Sequence, residues 1–203
     1  MKEDNILQLK KQFVHLLEST GREGVSKVLE KLEETDFYIA PASSRFHLAC
    51  RGGLLVHSLH VFEMACQLRD IVSVRRPELM EQLPIDSVVI ATLLHDICKA
   101  GIYKEALVSV KDAEGRWEKR PGYQLDYKDY PLGHGEKSVI LLLSWGLKLT
   151  EDEMLAIRWH MTAWDLAFQS PEQRENLSVA RAKTPLCSLV QAADSVSTGL
   201  LER

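Results

Sequence analysis

The adjacent pair His95-Asp96 constrains this chain more than any other feature, because it follows directly on an apolar run. The preceding residues 88–94 contain no charged side chain and predict a buried helix. An imidazole and a carboxylate at the end of such a helix are removed from water, so they need polar partners in the folded protein. The pair therefore predicts a buried polar site at the end of a core helix.

Other ionisable residues fall where helical periodicity turns them toward the core. His57 follows Leu54 by three residues, and His160 stands three residues after another apolar position. Burying so many titratable groups from separate helices is costly unless they share an ion. Imidazole and carboxylate ligands together favour Mn, Fe, Co, Ni or Zn over Mg or Ca. The sequence thus predicts a divalent transition-metal site with the candidate ligands His57, His95, Asp96, His134, His160 and Asp194.

Composition favours one ordinary globular domain over the 203 residues. Hydrophobic residues make up 45% and charged residues 27%, and the net charge of -4 gives no general argument for nucleic-acid binding. No apolar run reaches membrane-spanning length, and the first residues lack the apolar segment of a signal peptide. The four cysteines form no CxxC pair. We expect a cytoplasmic protein with reduced thiols and no membrane partner.

Helical periodicity runs through most of the chain, which predicts an all-α fold in a single domain over residues 1–203. Residues 103–123 differ, because short apolar alternation on both sides of a turn sequence predicts a small β-hairpin insertion there. This insertion could serve as a lid or as a homodimer contact. Trp164-Asp165, after the helix of His160, could form a wall of the pocket or a buried structural element.

Three strings carry a resemblance to a known family: GGLLVHSL at 52–59, LLHDICK at 93–99 and AADS at 192–195. The spaced pattern His57, His95-Asp96 and Asp194 resembles the HD-domain superfamily of metal-dependent phosphohydrolases over about residues 45–200. The resemblance implies an HD-domain-like helical bundle as the core, preceded by an N-terminal helical extension over residues 1–40. It also implies that His57, His95, Asp96 and Asp194 bind one metal ion.

The same resemblance implies a second ion. In two-metal members of the superfamily, histidines between the HD pair and the last aspartate hold that ion, and the HD aspartate bridges the two. This assigns His134 and His160 to the second ion and Asp96 to the bridge. His134, between two glycines, would equally suit a phosphate-binding role. Cys98 departs from the HDxGK string of part of the family, and a small apolar filler is its simplest interpretation.

The chemistry expected from this resemblance is hydrolysis of a phosphoester, in a nucleotide or related small molecule, by a metal-activated water. Asp96 and Lys99 are the predicted catalytic residues. Lys99 lies three residues after Asp96, where it can grip phosphate or simply interact with the helix dipole. His47 and Arg51, just before the helix of His57, are candidate substrate-binding residues or ordinary loop residues.

Two other functions stay open. Phe46-His47 and Gly52-Gly53 resemble the 3′→5′ exoribonuclease branch, which would make the chain a nuclease acting on single-stranded nucleic acid. A nucleotide-binding sensor without turnover is the other alternative. The cyclic-di-GMP phosphodiesterase branch is disfavoured because its Gly-Tyr-Pro string is missing, and a structural zinc site is disfavoured because such sites are rich in cysteine. A small phosphorylated substrate is the expected partner.

Overall fold

The computed structural model describes residues 2–126, 133–162 and 171–202, and these residues are mainly helical. The described α-helices are α1 (Glu3–Ser19), α2 (Val25–Glu33), α3 (Gly53–Arg75), α4 (Ile85–Leu94), α5 (His134–Ser144), α6 (Glu151–Trp159), α7 (Pro171–Lys183) and α8 (Pro185–Val196). Short 3₁₀ helices cover Pro77–Gln82 and Ile97–Lys99, and a π-helical turn covers Ser197–Leu201. The prediction of a helical fold with one small hairpin is confirmed at this level.

The α4 helix lies at the centre of the fold. It packs against α1, α3, α6 and α8, and every residue from Ser87 to Leu94 is buried. A helix that is apolar on all sides has no face to present to water, so it can only be stable inside a ring of other helices. The predicted buried helix is therefore present, and it ends at Leu94 with His95 in the C-cap position.

The N-terminal helices share this core. Phe13 and Leu17 of α1 and Val28 of α2 are fully buried in the same apolar cluster as α4. The carboxylate of Glu153, in the first turn of α6, accepts hydrogen bonds from Arg22 at 2.6 Å and from Ser87 at 2.6 Å. A buried charge with several partners thus joins the α1–α2 connection to α4 and α6.

The hairpin consists of β1 (Tyr103–Lys111) and β2 (Trp117–Leu125), which pair antiparallel. The backbone N–H groups of Glu114 and Arg116 donate to the Asp112 carboxylate, which closes the turn between the strands. The segment leading to His134 and the pair Trp164-Asp165 include positions outside the described residues. Among the described helices, none is long and apolar enough to cross a membrane.

Candidate metal centre

Helix ends bring the predicted ligands together. His95 caps α4, His160 caps α6, and His134 is the first residue of α5. His57 lies in the second turn of α3, and Asp194 lies in the last turn of α8. Asp96 directly follows His95, so the end of α4 supplies two groups and each of the other four helices supplies one. The structure thus brings all six predicted ligand residues to one region.

The two oxygens of Asp96 face different histidines. Oδ1 lies 2.6 Å from Nε2 of His134 and 3.4 Å from Nε2 of His160. Oδ2 lies 3.3 Å from Nε2 of His57 and 3.4 Å from Nε2 of His95. Each oxygen of this carboxylate thus faces its own pair of imidazoles, which is compatible with the bridging role that the family resemblance implies for Asp96.

Asp194 and Lys99 complete the inner ring of charges. Oδ1 of Asp194 lies 3.5 Å from Nε2 of His57, and the Lys99 ammonium donates to Oδ2 of Asp96 at 2.6 Å. Burial alone would raise the pKa of Asp96, but Lys99 and the neighbouring histidines hold it well below its usual range. Asp96 is therefore a charged carboxylate in a region almost closed to water.

The outer nitrogens of the histidines determine which inner nitrogens can bind an ion. Nδ1 of His95 donates to the carbonyl of Thr92 at 2.7 Å, and Nδ1 of His160 donates to the carbonyl of Ile157 at 2.7 Å. A carbonyl only accepts, so the proton lies on Nδ1 and a lone pair is left on Nε2. Such outer hydrogen bonds orient the histidine ligands of metal sites.

The inner nitrogens fit a divalent cation. Nε2 of His57 and Nε2 of His95 are 3.2 Å apart, a contact that two lone pairs cannot make favourably, so it needs a proton on one nitrogen or a cation beside both. Nε2 of His160 is buried and, among the described residues, has no hydrogen-bond partner, which is costly for a polar atom. Bare imidazole nitrogens beside two carboxylates form a donor set that matches Mn, Fe, Co, Ni or Zn.

The pKa shifts agree with an environment that attracts positive charge. Burial lowers the pKa of His57, but Asp96 and Glu202 outweigh it and raise this pKa to about 9. Burial also lowers the pKa of His134, yet Cys98 and Asp96 raise it to about 10. Both histidines would release a proton when they bind an ion.

Two glycines allow the helices to approach this closely. A Cβ on Gly135 would lie 2.2 Å from the carbonyl oxygen of Arg158, so only glycine permits α5 to begin against the end of α6. As a result, the ring centroids of His134 and His160 are 5.5 Å apart. A Cβ on Gly53 would lie 2.1 Å from the carbonyl oxygen of Leu48, so only glycine lets the start of α3 lie this close to the preceding loop.

Cys98 has a more specific position than that of a filler. It is buried as predicted, and its Sγ lies 3.5 Å from Nδ1 of His134. Its backbone N–H donates to Oγ of Ser138 in α5 at 3.3 Å. The turn after the HD pair is thereby connected to the helix that carries His134.

A cavity of about 690 Å³ opens above the ligands. Its described lining residues are Phe46, His47, Asp96, Lys99, His160, Met161, Thr162, Gln191, Asp194, Ser195 and Thr198. Burial and the nearby Lys99 lower the pKa of His47 to about 4, so His47 is a neutral lining group. Arg51 instead lines a separate cavity beside the hairpin, and the structure does not bring it to the metal ligands.

Sequence reasoning missed Glu202. Its buried carboxylate lies 3.0 Å from Nδ1 of His57 and 3.1 Å from Nδ1 of His60. Helical periodicity did not point to it, because a position eight residues after Asp194 on an α-helix lies about 80° around the helix from Asp194. His60, which the sequence did not assign as a ligand, contacts this carboxylate.

Comparison with known proteins identifies the family. The family model of the HD domain matches residues 54–199, a span that includes all six predicted ligands and Lys99. Neither the curated proteins nor the solved structures contain a match to the chain. Because the matched span is well over half of the chain, the chain belongs to the HD domain family, and the predicted resemblance is confirmed.

Proposed function

We propose that this chain is a metal-dependent phosphohydrolase that hydrolyses a phosphoester of a nucleotide or a related small molecule. Membership of the HD domain family supports metal-dependent phosphohydrolase chemistry. The observation that carries the proposal is the convergence of His57, His95, His134 and His160 on the two oxygens of Asp96, beneath a cavity that also holds Lys99.

The ligand set divides between two ions by proximity to Asp96. His57 and His95, which lie beside Oδ2 of Asp96, would hold one ion together with Asp194, which lies beside His57. His134 and His160, which lie beside Oδ1, would hold the other. When bound, divalent ions supply positive charge for the phosphate and lower the pKa of a coordinated water. The protein contributes fixed ligand nitrogens, because the outer nitrogens of His95 and His160 already donate to backbone carbonyls.

Lys99 is the group that would orient the phosphate. Its ammonium lies in the wall of the cavity and is positioned by the ion pair with Asp96. Burial lowers the pKa of Lys99, but Asp96 outweighs it and raises this pKa above its usual range, so the group stays protonated. A preorganised cation of this kind stabilises the charge that develops on phosphate oxygens during transfer.

The cavity favours a small substrate over a polymer. Among the described residues that line it, Lys99 is the one lysine or arginine, and Gln191 and Ser195 of α8 and Thr198 of the π-helical turn add uncharged groups. Binding of single-stranded nucleic acid depends on several phosphate contacts along a basic groove. One cation beside the metal ligands suits a single phosphate group.

The test is a substrate panel with controlled metal content. The protein is stripped with a chelator, reloaded separately with Mn, Fe, Co or Ni, and incubated with nucleoside mono-, di- and triphosphates, cyclic nucleotides and labelled single-stranded oligonucleotides. We expect phosphate or nucleoside release from a nucleotide with at least one metal. Asp96→Asn should abolish this release, whereas Asp86→Asn, an exposed control at the start of α4, should retain it.

Two results would contradict the proposal. Stepwise shortening of the oligonucleotide, with no turnover of mononucleotides, would identify the nuclease alternative. Binding of a nucleotide without turnover under any of the four metals would identify the sensor alternative.

A further inference from the structure

A buried carboxylate lies directly behind the first predicted ligand. Oε1 and Oε2 of Glu202 lie 3.1 Å and 3.0 Å from Nδ1 of His57, and the Glu202 side chain is fully buried. Oε1 also lies 3.1 Å from Nδ1 of His60, which holds the carboxylate from a second side. Glu202 therefore contacts two histidines on successive turns of one face of α3.

A π-helical turn brings Glu202 to this position. After α8, residues Ser197–Leu201 form the wider turn, and the backbone N–H of Glu202 donates to the carbonyl of Ser197, five residues earlier, at 3.1 Å. The wider turn adds one residue relative to an α-helix. Glu202, eight residues after Asp194, consequently takes the angular position of a seventh residue, nearly in line with Asp194. Asp194 and Glu202 therefore lie on one face of this segment, and they contact different nitrogens of His57: Asp194 lies beside Nε2 and Glu202 beside Nδ1.

The outer partner of His57 differs in kind from those of His95 and His160. The latter two donate to neutral backbone carbonyls of their own helices, whereas His57 donates to a charged carboxylate from another element. A carboxylate accepts only, so it keeps a proton on Nδ1, and the proton that His57 releases on binding an ion is the one on Nε2, which faces Asp96 and Asp194. Its charge also makes the imidazole a stronger ligand.

We propose that Glu202 is a positioning residue of the metal centre, which holds His57 in the tautomer and orientation that present Nε2 to an ion. His60 fixes the carboxylate in turn. Glu202 lies beyond the span matched by the HD domain family, so the family pattern does not supply it. The inference rests on the proposed metal site and does not require that the site hydrolyse any substrate.

The experiment measures metal affinity and ligand field in Glu202 variants. Glu202→Ala removes the carboxylate that accepts from His57, Glu202→Gln keeps the shape of the side chain without its charge, and Glu202→Asp keeps the charge on a side chain one methylene shorter. Glu63→Gln, an exposed glutamate of α3, is the matched control. Affinity for Mn²⁺ and Co²⁺ is measured by competition with a chromophoric chelator, and the visible absorption of the Co²⁺-loaded protein reports ligand geometry.

We expect Glu202→Ala to weaken binding of one ion by about 10- to 100-fold and to leave the other ion within about twofold. The Co²⁺ spectrum should change in the same variant. Glu202→Gln should show a smaller loss, Glu202→Asp should restore part of the affinity, and Glu63→Gln should match the unmodified protein. A merely structural role would lower thermal stability without changing the Co²⁺ spectrum.

Either of two results would overturn the inference. Folded Glu202→Ala or Glu202→Gln protein with unchanged affinity for both ions and an unchanged Co²⁺ spectrum would show that the carboxylate does not act on His57. A loss of equal size at the same ion in His47→Ala would show that Glu202 is a direct ligand, together with the nearby His47. If Glu202→Ala fails to fold, the Gln and Asp variants decide. Since every readout is metal binding, a failure to find hydrolysis leaves this test intact.

Discussion

At the level of single residues, the charges buried around Asp96 are the costly part of this fold. Asp96 is almost fully buried, and Lys99 beside it is largely shielded. Removing an ion of this size from water costs several kcal/mol, and that cost is offset only when partners of opposite charge are held close. Lys99 and the surrounding imidazoles meet that need. Each partner can therefore be tested for what it does besides neutralising charge.

Lys99→Met should separate phosphate binding from metal binding. We expect kcat to fall about 100-fold, because one preorganised donor to the developing phosphate charge is removed. Metal content should stay at the level of the unmodified protein, because Lys99 is not among the candidate ligands. Phosphate release and elemental analysis measure the two quantities, and the exposed Lys148→Met is the control. A parallel loss of metal would show that Lys99 instead maintains the ligand geometry.

The raised histidine pKa values predict opposite pH responses in metal-free and metal-loaded protein. The pKa of His57 is raised to about 9 and that of His134 to about 10, from about 6.5 when unfolded. Their contribution to stability is complete below pH 6.5 and is lost as pH rises through 9 to 10. Metal binding needs the deprotonated rings, so it strengthens over the same range.

We therefore expect the difference in Tm between loaded and chelated protein to grow from pH 6.5 to pH 9. Differential scanning calorimetry on matched samples measures this difference. Parallel Tm curves for the two forms across that range would contradict the prediction, because they would mean that loading does not displace protons from these histidines.

At the level of elements, the crossing of α5 and α6 depends on one glycine. Gly135→Ala would place a Cβ 2.2 Å from the Arg158 carbonyl oxygen, so α5 must shift. We expect a loss of about 1–3 kcal/mol in the free energy of unfolding, as for overpacked sites, and a loss of the ion assigned to His134. Denaturant titration and elemental analysis test both.

Ser144→Ala, at the exposed far end of the same helix, is the control for this substitution, because it adds no atom to the contact between α5 and α6. It should leave both stability and metal content unchanged. If Gly135→Ala kept both ions as well, the close approach of the two helices would not be what positions His134.

The first turn of α6 anchors the N-terminal helices through Glu153. Its side chain accepts from Arg22, Ser87 and the backbone N–H of Thr150, and it is fully buried. Glu153→Ala removes the carboxylate that neutralises Arg22 and leaves that guanidinium with the neutral carbonyl of Lys148, so we expect a loss of about 3–5 kcal/mol in the free energy of unfolding. Denaturant titration measures it.

Glu151→Ala, two residues earlier in the same helix, removes an exposed ion pair with Lys183 and serves as the control. Its cost should be at most about 1 kcal/mol. Equal losses in the two variants would mean that the buried network around Glu153 contributes no more than a surface pair.

At the level of the whole molecule, the hairpin stands apart from the helical core. Its strands pair with each other, and Tyr103 at its base donates to the carbonyl of Ala42 at 3.2 Å. Leu107 and Trp117, farther out, are exposed by 67% and 69%. Exposed apolar groups on a projecting element suit the predicted lid or homodimer contact, and both roles stay predictions.

Shortening the hairpin should leave the core intact. Replacing residues 107–121 with an Asn-Gly turn joins Ala106 to its partner Gly122 and keeps Tyr103. We expect the Tm to change by only a few degrees and the metal content to be unchanged, since the ligands lie on helices. Calorimetry and elemental analysis check this, and loss of bound metal would show that the hairpin supports the site. A change in sedimentation would indicate the dimer contact.

Local patterns in the sequence were sufficient for the helices and for the candidate ligands. The run before His95 predicts a buried helix because an apolar segment has no stable place in water, and the helical phase of His57 follows from its distance to Leu54. The hairpin prediction was equally local, because alternation around a turn depends on neighbouring residues only. The resemblance to the HD-domain superfamily added the expectation of which candidate ligands share an ion.

The amino-acid sequence by itself determined the HD pair at the end of a buried helix, the helical class of the fold and the residue types of the candidate ligands. Only the tertiary structure decided that Arg51 lies beside the hairpin, that Cys98 contacts His134, and that Glu202 supports His57 from 145 residues away. These outcomes depend on how separate helices cross and on one π-helical turn. Periodicity sets which face of a helix is buried, but the packing of side chains sets which residues from distant helices meet there.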